Sequence, residues 1–90
     1  MGTVRQRISF EGRVQGVGFR YRLAYLAKAA DMTGWVENEY DGSVTAEIQG
    51  TEAMIDRVIE RLKDDRYIRI DWISRKDIPL EEERGFRIRG

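Results

Sequence analysis

The chain has 90 residues, of which 41% are hydrophobic and 36% charged, and 16 basic residues balance 16 acidic ones. This length favours one domain over residues 1–90, and a net charge of zero gives no overall field toward nucleic acid or a membrane. Cysteine and histidine are both absent, which excludes a disulfide, a thiolate nucleophile, a sulfur-bound metal and an imidazole general base.

The first element is an alternating segment. From Val4 to Val14 the even positions are mostly apolar, whereas the odd positions, Arg5 among them, are polar or charged. This alternation predicts a strand with one buried face. The following apolar residues recur at helical spacing and predict a helix from about Phe19 to Asp31.

Two further strands and a second helix follow. The segment TGWVENEYDGSVTAEIQG divides around Asp41-Gly42, which predicts two strands joined by a two-residue hairpin turn. Thr51 then precedes an apolar stripe at helical spacing. It is therefore the predicted N-cap of the second helix.

The end of the chain alternates again. Ile68, Ile70 and Trp72 are predicted to point inward from a fourth strand, the segment 79–84 to form a solvated loop, and FRIR to form a short last strand. The predicted order is βαββαβ with an extra C-terminal strand. The predicted fold is thus an α+β, ferredoxin-like sandwich, with two helices packed on one face of an antiparallel sheet.

This topology brings two separate segments to one edge of the sheet. A helical crossover joins the first two strands, so they should run parallel and end at the same edge. The segment 14–20 follows the first strand and the segment 38–42 follows the second. The two segments are therefore expected to build a single site.

The segment GRVQGVGFRYR carries charge where a helix dipole disfavours it. Arg20 and Arg22 lie in the predicted first helical turn, directly after Gly16 and Gly18. Glycines followed by a helix start can form a nest of N–H groups for an anion, and Arg20 adds a fork of donors suited to phosphate oxygens. An ordinary glycine-rich turn with a surface arginine remains open as an alternative.

The two motifs GRVQGVGFR and GWVENEYDGSV, together with the closing GFRIRG, resemble the acylphosphatases over almost the whole chain. The resemblance implies that Arg20 is catalytic and that Asn38 positions the attacking water. It also implies that the loop binds the substrate phosphate through Gln15, Gly16, Val17, Gly18, Phe19 and Arg20. Glu39-Tyr40 depart from the leucine-proline that is common in the family.

The implied activity is hydrolysis of acyl phosphates to a carboxylate and inorganic phosphate, which is both product and inhibitor. We expect no cofactor and no metal, no nucleic-acid or membrane partner, a monomer and a cytoplasmic location. Two other functions stay open. One is a phosphate-sensing domain without turnover, and the other is an RNA-binding module, because QGVGFRYR faintly resembles the RNP1 motif on the same general fold.

Overall fold

The order of helices and strands in the computed structural model, which describes residues 2–90, matches the predicted order. The elements are β1 (Thr3–Arg13), α1 (Phe19–Ala29), β2 (Thr33–Asn38), β3 (Val44–Thr51), α2 (Glu52–Lys63), β4 (Arg69–Ile78) and β5 (Phe86–Arg89). Helix α1 ends two residues before its predicted end at Asp31. The reason is that Asp31 has a left-handed φ of 59°, which an α-helix cannot continue.

The five strands form one sheet in the order β4-β1-β3-β2-β5. Strands β1 and β2 both pair antiparallel with β3, so they run parallel to each other and end at the same edge, as predicted. Strand β5 pairs parallel with β2. The sheet is therefore mixed, and the prediction of an antiparallel sheet holds only for the other four strands.

The core lies between one face of the sheet and the two helices. The sheet contributes fully buried Ile8, Val36 and Ile48, and the helices contribute Leu23 and Leu62. The Thr51 hydroxyl accepts a hydrogen bond from the amide of Met54 at 3.2 Å, so its predicted role as the N-cap of α2 is confirmed. Capping satisfies one of the amide donors that a helix start leaves unpaired.

Strand β4 contains a bulge that overturns part of its predicted pattern. Trp72 pairs with Glu11, but Gly12 pairs with Ile70, so Asp71 is one extra residue on β4. A one-residue insertion reverses which face each later side chain occupies. Trp72 is consequently 65% exposed, and Ile73 packs against the core in its place, whereas Ile68 and Ile70 face inward as predicted.

The second face of the sheet buries an arginine that the alternation did not single out. Arg5 is 1% exposed, and its guanidinium pairs with Glu47 and Glu83, each at 2.9 Å. Burial lowers the pKa of Arg5, but the hydrogen bonds that its guanidinium donates to Glu83 and Glu47 outweigh the effect of burial and leave that pKa above its ordinary value. A buried guanidinium requires such partners, because an unpaired buried charge is strongly destabilising.

The segment 79–85 is the reason that Arg5 is buried. It runs over this second face, where the amide of Glu81 donates to the Gln49 side chain and that side chain donates back to the Glu81 carbonyl, both at 3.0 Å. Glu83 then reaches Arg5. The predicted solvated loop is thus partly correct, because Glu81 is exposed but the Glu83 side chain is only 12% exposed.

The aromatic side chains of Trp35, Tyr40 and Trp72 differ in their environments. Trp35 is 7% exposed and lies beneath the Arg89 guanidinium, whose carbon is 4.2 Å from the ring centroid, on the second face of the sheet. Tyr40 and Trp72 are both exposed. Of these three side chains, Trp35 alone is packed against the sheet.

Candidate active site

The segment 14–19 leaves β1 with its larger apolar side chains directed inward and its glycines outward. Val14 and Phe19 are each 1% exposed, Val17 is half-buried against the core, and Gly16 and Gly18 are exposed. The rings of Phe10 and Phe19 pack with their centroids 4.9 Å apart, which fixes the end of the segment against β1. The buried side chains therefore anchor a loop whose backbone faces outward, and we refer to residues 14–20 as the cradle loop.

The conformation of the cradle loop depends on its two glycines. Gly16 and Gly18 have φ angles of 76° and 80°, which side-chain-bearing residues adopt only with strain. Gly18 is also the residue that caps α1, and its carbonyl accepts the first bond of the helix from the amide of Arg22 at 2.9 Å. The turn into the helix therefore requires glycine at both positions.

The amide groups of this region are left as donors. In residues 2–90, no backbone–backbone hydrogen bond outside the helices and strands is donated by an N–H of residues 15–21. No side chain caps the start of α1, and no acidic residue lies in its first turn. A helix start without a cap or an acidic residue has unpaired N–H groups and a partial positive charge, which together favour an anion.

Arg20 adds its guanidinium to these donors. The Arg20 side chain is half-buried, and its Nη1 donates to the Gly90 backbone oxygen at 3.1 Å. Within the described part of the chain this is its single hydrogen bond, and no aspartate or glutamate side chain lies within ion-pair distance of it. Arg22, in contrast, points toward Asp65, with 3.8 Å between Nε and Oδ2.

Asn38 ends β2 on the face of the sheet that carries the cradle loop. Val36 is fully buried against the helices, and side chains two residues apart in a strand share a face. Asn38 is paired with Val44, which is paired in turn with Phe10, the residue that packs on Phe19. Asn38 therefore shares a row of the sheet with Phe10, whose ring packs against Phe19 at the end of the cradle loop.

The oxygen of that carboxamide has an unusual environment. Asn38 Oδ1 is buried and has no hydrogen-bond partner among the residues that the structure describes. Buried polar atoms in proteins are nearly always hydrogen-bonded, so an unpaired one calls for an explanation. An unpaired acceptor at the end of β2 is available to a water molecule.

The turn after Asn38 is longer than predicted. The amide of Glu39 donates to the Ser43 carbonyl at 2.8 Å, which leaves three loop residues, 40–42, instead of the predicted two. The Asp41 carboxylate accepts from both the amide and the hydroxyl of Ser43, at 3.0 and 2.7 Å. These bonds, the hydroxyl bond first, hold the pKa of Asp41 below its ordinary value and fix the longer turn.

Gln15 connects the cradle loop with this hairpin. Its Nε2 donates to the Glu39 carbonyl at 2.7 Å and to the Ser43 carbonyl at 2.9 Å. The two segments predicted to share one edge are therefore in direct contact. No local pattern around Gln15 indicates this role, because the contact depends on the order of the strands in the sheet.

The structure thus places the site residues that the resemblance implied at one edge of the sheet. The loop that precedes α1 consists of Gln15, Gly16, Val17 and Gly18. The first turn of α1 contains Phe19 and Arg20, and Asn38 lies at the end of β2. The Gln15 side chain, however, bonds to the hairpin, which leaves only its backbone N–H for an anion.

Neither helix within residues 2–90 is long and apolar enough to cross a membrane. The same range contains no group of three or more histidine, cysteine, aspartate or glutamate side chains arranged to hold a metal ion.

The fold and the cradle loop together define a class of protein. Two helices on one face of a five-stranded sheet, with a glycine-rich loop leading into an uncapped helix, describe a ferredoxin-like sandwich with an anion-binding edge. Among proteins of known family, the family model for acylphosphatase matches residues 6–88.

Individual relatives agree with the family model. An acylphosphatase of Moorella thermoacetica is 38% identical over 94 residues, which covers 99% of this chain and 97% of the relative. The crystal structure of acylphosphatase from Bacillus subtilis superposes with a TM-score of 0.89 at 34% identity and covers 97% of this chain and 99% of its own. The chain belongs to the acylphosphatase family, and it is an enzyme of that family.

The same fold is found within a larger protein. HypF from T. kodakarensis matches with a TM-score of 0.81 at 32% identity, over 94% of this chain and 12% of that one.

Proposed function

We propose that the protein hydrolyses the carboxyl–phosphate bond of acyl phosphates by direct attack of a water molecule that Asn38 positions. The cradle loop and Arg20 hold the phosphoryl group. The observation that carries this proposal is the uncapped start of α1, which has unpaired N–H groups, the Arg20 guanidinium and no acidic residue in its first turn. A phosphoryl group carries the charge and the acceptor oxygens that these donors lack.

The reaction can proceed without a histidine or cysteine side chain. Water oxygen bonds to phosphorus while the bond from phosphorus to the acyl oxygen breaks, and the carboxylate leaves with the electron pair. The water proton passes to a phosphoryl oxygen, so the products are a carboxylate and inorganic phosphate. A carboxylate leaves without protonation, and phosphoryl transfer through a loose transition state depends mainly on positioning and charge stabilisation. The absence of histidine and cysteine is compatible with this chemistry.

The remaining features of the proposal concern how the protein works as a whole. We propose that residues 1–90 act as a single domain and a monomer in the cytoplasm, without a metal ion, a nucleic acid or a membrane. The match of one family model to residues 6–88 and the net charge of zero support this part of the proposal.

The test is release of inorganic phosphate from acetyl phosphate and benzoyl phosphate in buffer that contains a metal chelator. We expect rapid turnover of both compounds, because the cradle loop contacts the phosphoryl group that they share. Turnover that stops in chelator and returns with Mg²⁺ would contradict the metal-free mechanism. A protein that binds phosphate but leaves both compounds intact would instead be a sensor.

Inorganic phosphate is expected to be a competitive inhibitor and to raise the melting temperature. Both effects follow from binding of the product in the cradle loop, and phosphate at 100 times its Kd would add about 2.7 kcal/mol to the free energy of unfolding. Steady-state rates and thermal melts in phosphate, with matched chloride as the control for ionic strength, measure the two effects. If phosphate neither inhibits the enzyme nor raises its melting temperature, the cradle loop is not a phosphate site.

A further inference from the structure

Gln15 holds both strands of the hairpin with one amino group. The two N–H bonds of its carboxamide are donated to the carbonyl of Glu39, which leaves β2, and to the carbonyl of Ser43, which enters β3. A carboxamide NH₂ has two donors, and the two contacts at 2.7 and 2.9 Å use both. The cradle loop is thereby fixed to the two ends of the turn at once.

The position of Asn38 depends on the same turn. Glu39 is its direct neighbour in the chain, and Val44, its partner across the strands, directly follows Ser43. The Asn38 side chain makes no hydrogen bond through Oδ1 that could orient it independently. The pairing of β2 and β3 with β1 sets the approximate location of Asn38. Gln15 is the side chain that joins the cradle loop directly to the turn after Asn38, so it can adjust the distance between the two.

We propose that Gln15 is a positioning residue, which sets the distance and angle between the Asn38 carboxamide and the phosphoryl group in the cradle loop. Its side chain acts through the hairpin and does not bind the substrate phosphate. This inference rests on the proposed function, because it assigns Gln15 to the water-positioning half of that mechanism. A displacement of about 1 Å between reacting groups can lower a rate by roughly 100-fold, so a tether of two hydrogen bonds is sufficient to control turnover.

Gln15→Met tests the proposal, because methionine has a similar length and shape but no donor. We expect kcat for benzoyl phosphate to fall roughly 10- to 100-fold, while the inhibition constant for inorganic phosphate stays within a few-fold of the wild-type value. The loss should fall on kcat, since the phosphate donors of the cradle loop remain in place.

Gln49→Met is the matched control. Gln49 also connects a strand to a loop through two bonds to the backbone of Glu81, and it accepts a further bond from Arg5 Nη1 at 3.3 Å on the second face of the sheet. This variant should lower the melting temperature at least as much as Gln15→Met and leave kcat unchanged. Equal kcat values for wild type and Gln15→Met would overturn the positioning role. A large rise in the phosphate inhibition constant would show that the Gln15 side chain binds phosphate directly, which also overturns it.

Hydrogen exchange separates this inference from the proposed function. The amide of Glu39 is protected by its bond to the Ser43 carbonyl, which also accepts from Gln15. If Gln15 holds the hairpin, this amide should exchange faster in Gln15→Met and at the wild-type rate in Gln49→Met, whether or not acyl phosphates are hydrolysed. Unchanged exchange in Gln15→Met would refute the tether itself, whereas failure of the wild-type protein to release phosphate would refute only the proposed function.

Discussion

Replacing Arg20 with glutamine is expected to lower kcat/KM for acyl phosphates by roughly 10³-fold or more, the low end for an arginine in phosphoryl transfer. The guanidinium is half-buried at an uncapped helix start, and no aspartate or glutamate side chain of the described residues pairs with it. Glutamine retains one neutral amide and loses both the charge and the fork geometry. Phosphate affinity should also fall, since Arg20 would contact the phosphoryl group before and during the reaction.

Two variants control for the effect of charge alone. Arg20→Lys should recover little activity, because an ammonium offers a point charge in place of two parallel donors. Arg22→Gln removes a cation from the same helical turn, but one whose side chain points toward Asp65, so it should leave kcat/KM nearly unchanged. Steady-state kinetics would measure kcat/KM of each variant, and circular dichroism would show that each variant is folded. If Arg20→Gln and Arg22→Gln lower kcat/KM equally, the effect comes from the lost positive charge in general and not from a specific role of Arg20.

Replacing Asn38 with alanine is expected nearly to abolish turnover while leaving phosphate affinity within a few-fold. The reason for the difference from Arg20 is that Asn38 lies at the end of β2, outside the cradle loop, and its buried oxygen is the acceptor proposed to hold water. Loss of that acceptor removes the orientation of the nucleophile but none of the phosphate donors. Steady-state rates and phosphate titration measure the two quantities separately.

Glu39→Ala is the matched control for this second result. It changes the next residue of the same hairpin, whose contacts to Gln15 and Ser43 are made by the backbone and survive the substitution. Turnover by Glu39→Ala should therefore remain close to wild type. A folded Asn38→Ala protein that hydrolyses acyl phosphates at a near wild-type rate would return Asn38 to the role of a turn residue.

The elements of this fold could be predicted because each depends on nearby residues. The spacing of apolar residues predicted both helices. Thr51 predicted the start of α2, because its hydroxyl can accept from the amide three residues later, which is that of Met54. Alternation located β1, since Ile8 and Phe10 face the helices. Such patterns are properties of a single segment, and burial on one face is enough to impose them.

The errors arose where a second segment intervenes. The bulge at Asp71 turns Trp72 outward, and only the pairing of β4 with β1 reveals it. Arg5 is buried because the segment 79–85, remote in sequence, runs over the second face of the sheet and brings Glu83 to it. Neither change alters the composition or the local periodicity of its own segment, so neither could be predicted from that segment.

The candidate site divides in the same way. The available chemistry follows from residue types alone. Two glycines and Arg20 at a helix start provide donors for an anion, and the absence of histidine and cysteine excludes an imidazole base and a thiolate nucleophile. Two other features are visible only in the folded protein: Gln15 contacts the hairpin, and Asn38 shares a row of the sheet with Phe10. These contacts join segments more than 20 residues apart, and their distances follow from strand order and register, which are fixed only when the whole sheet packs against its helices.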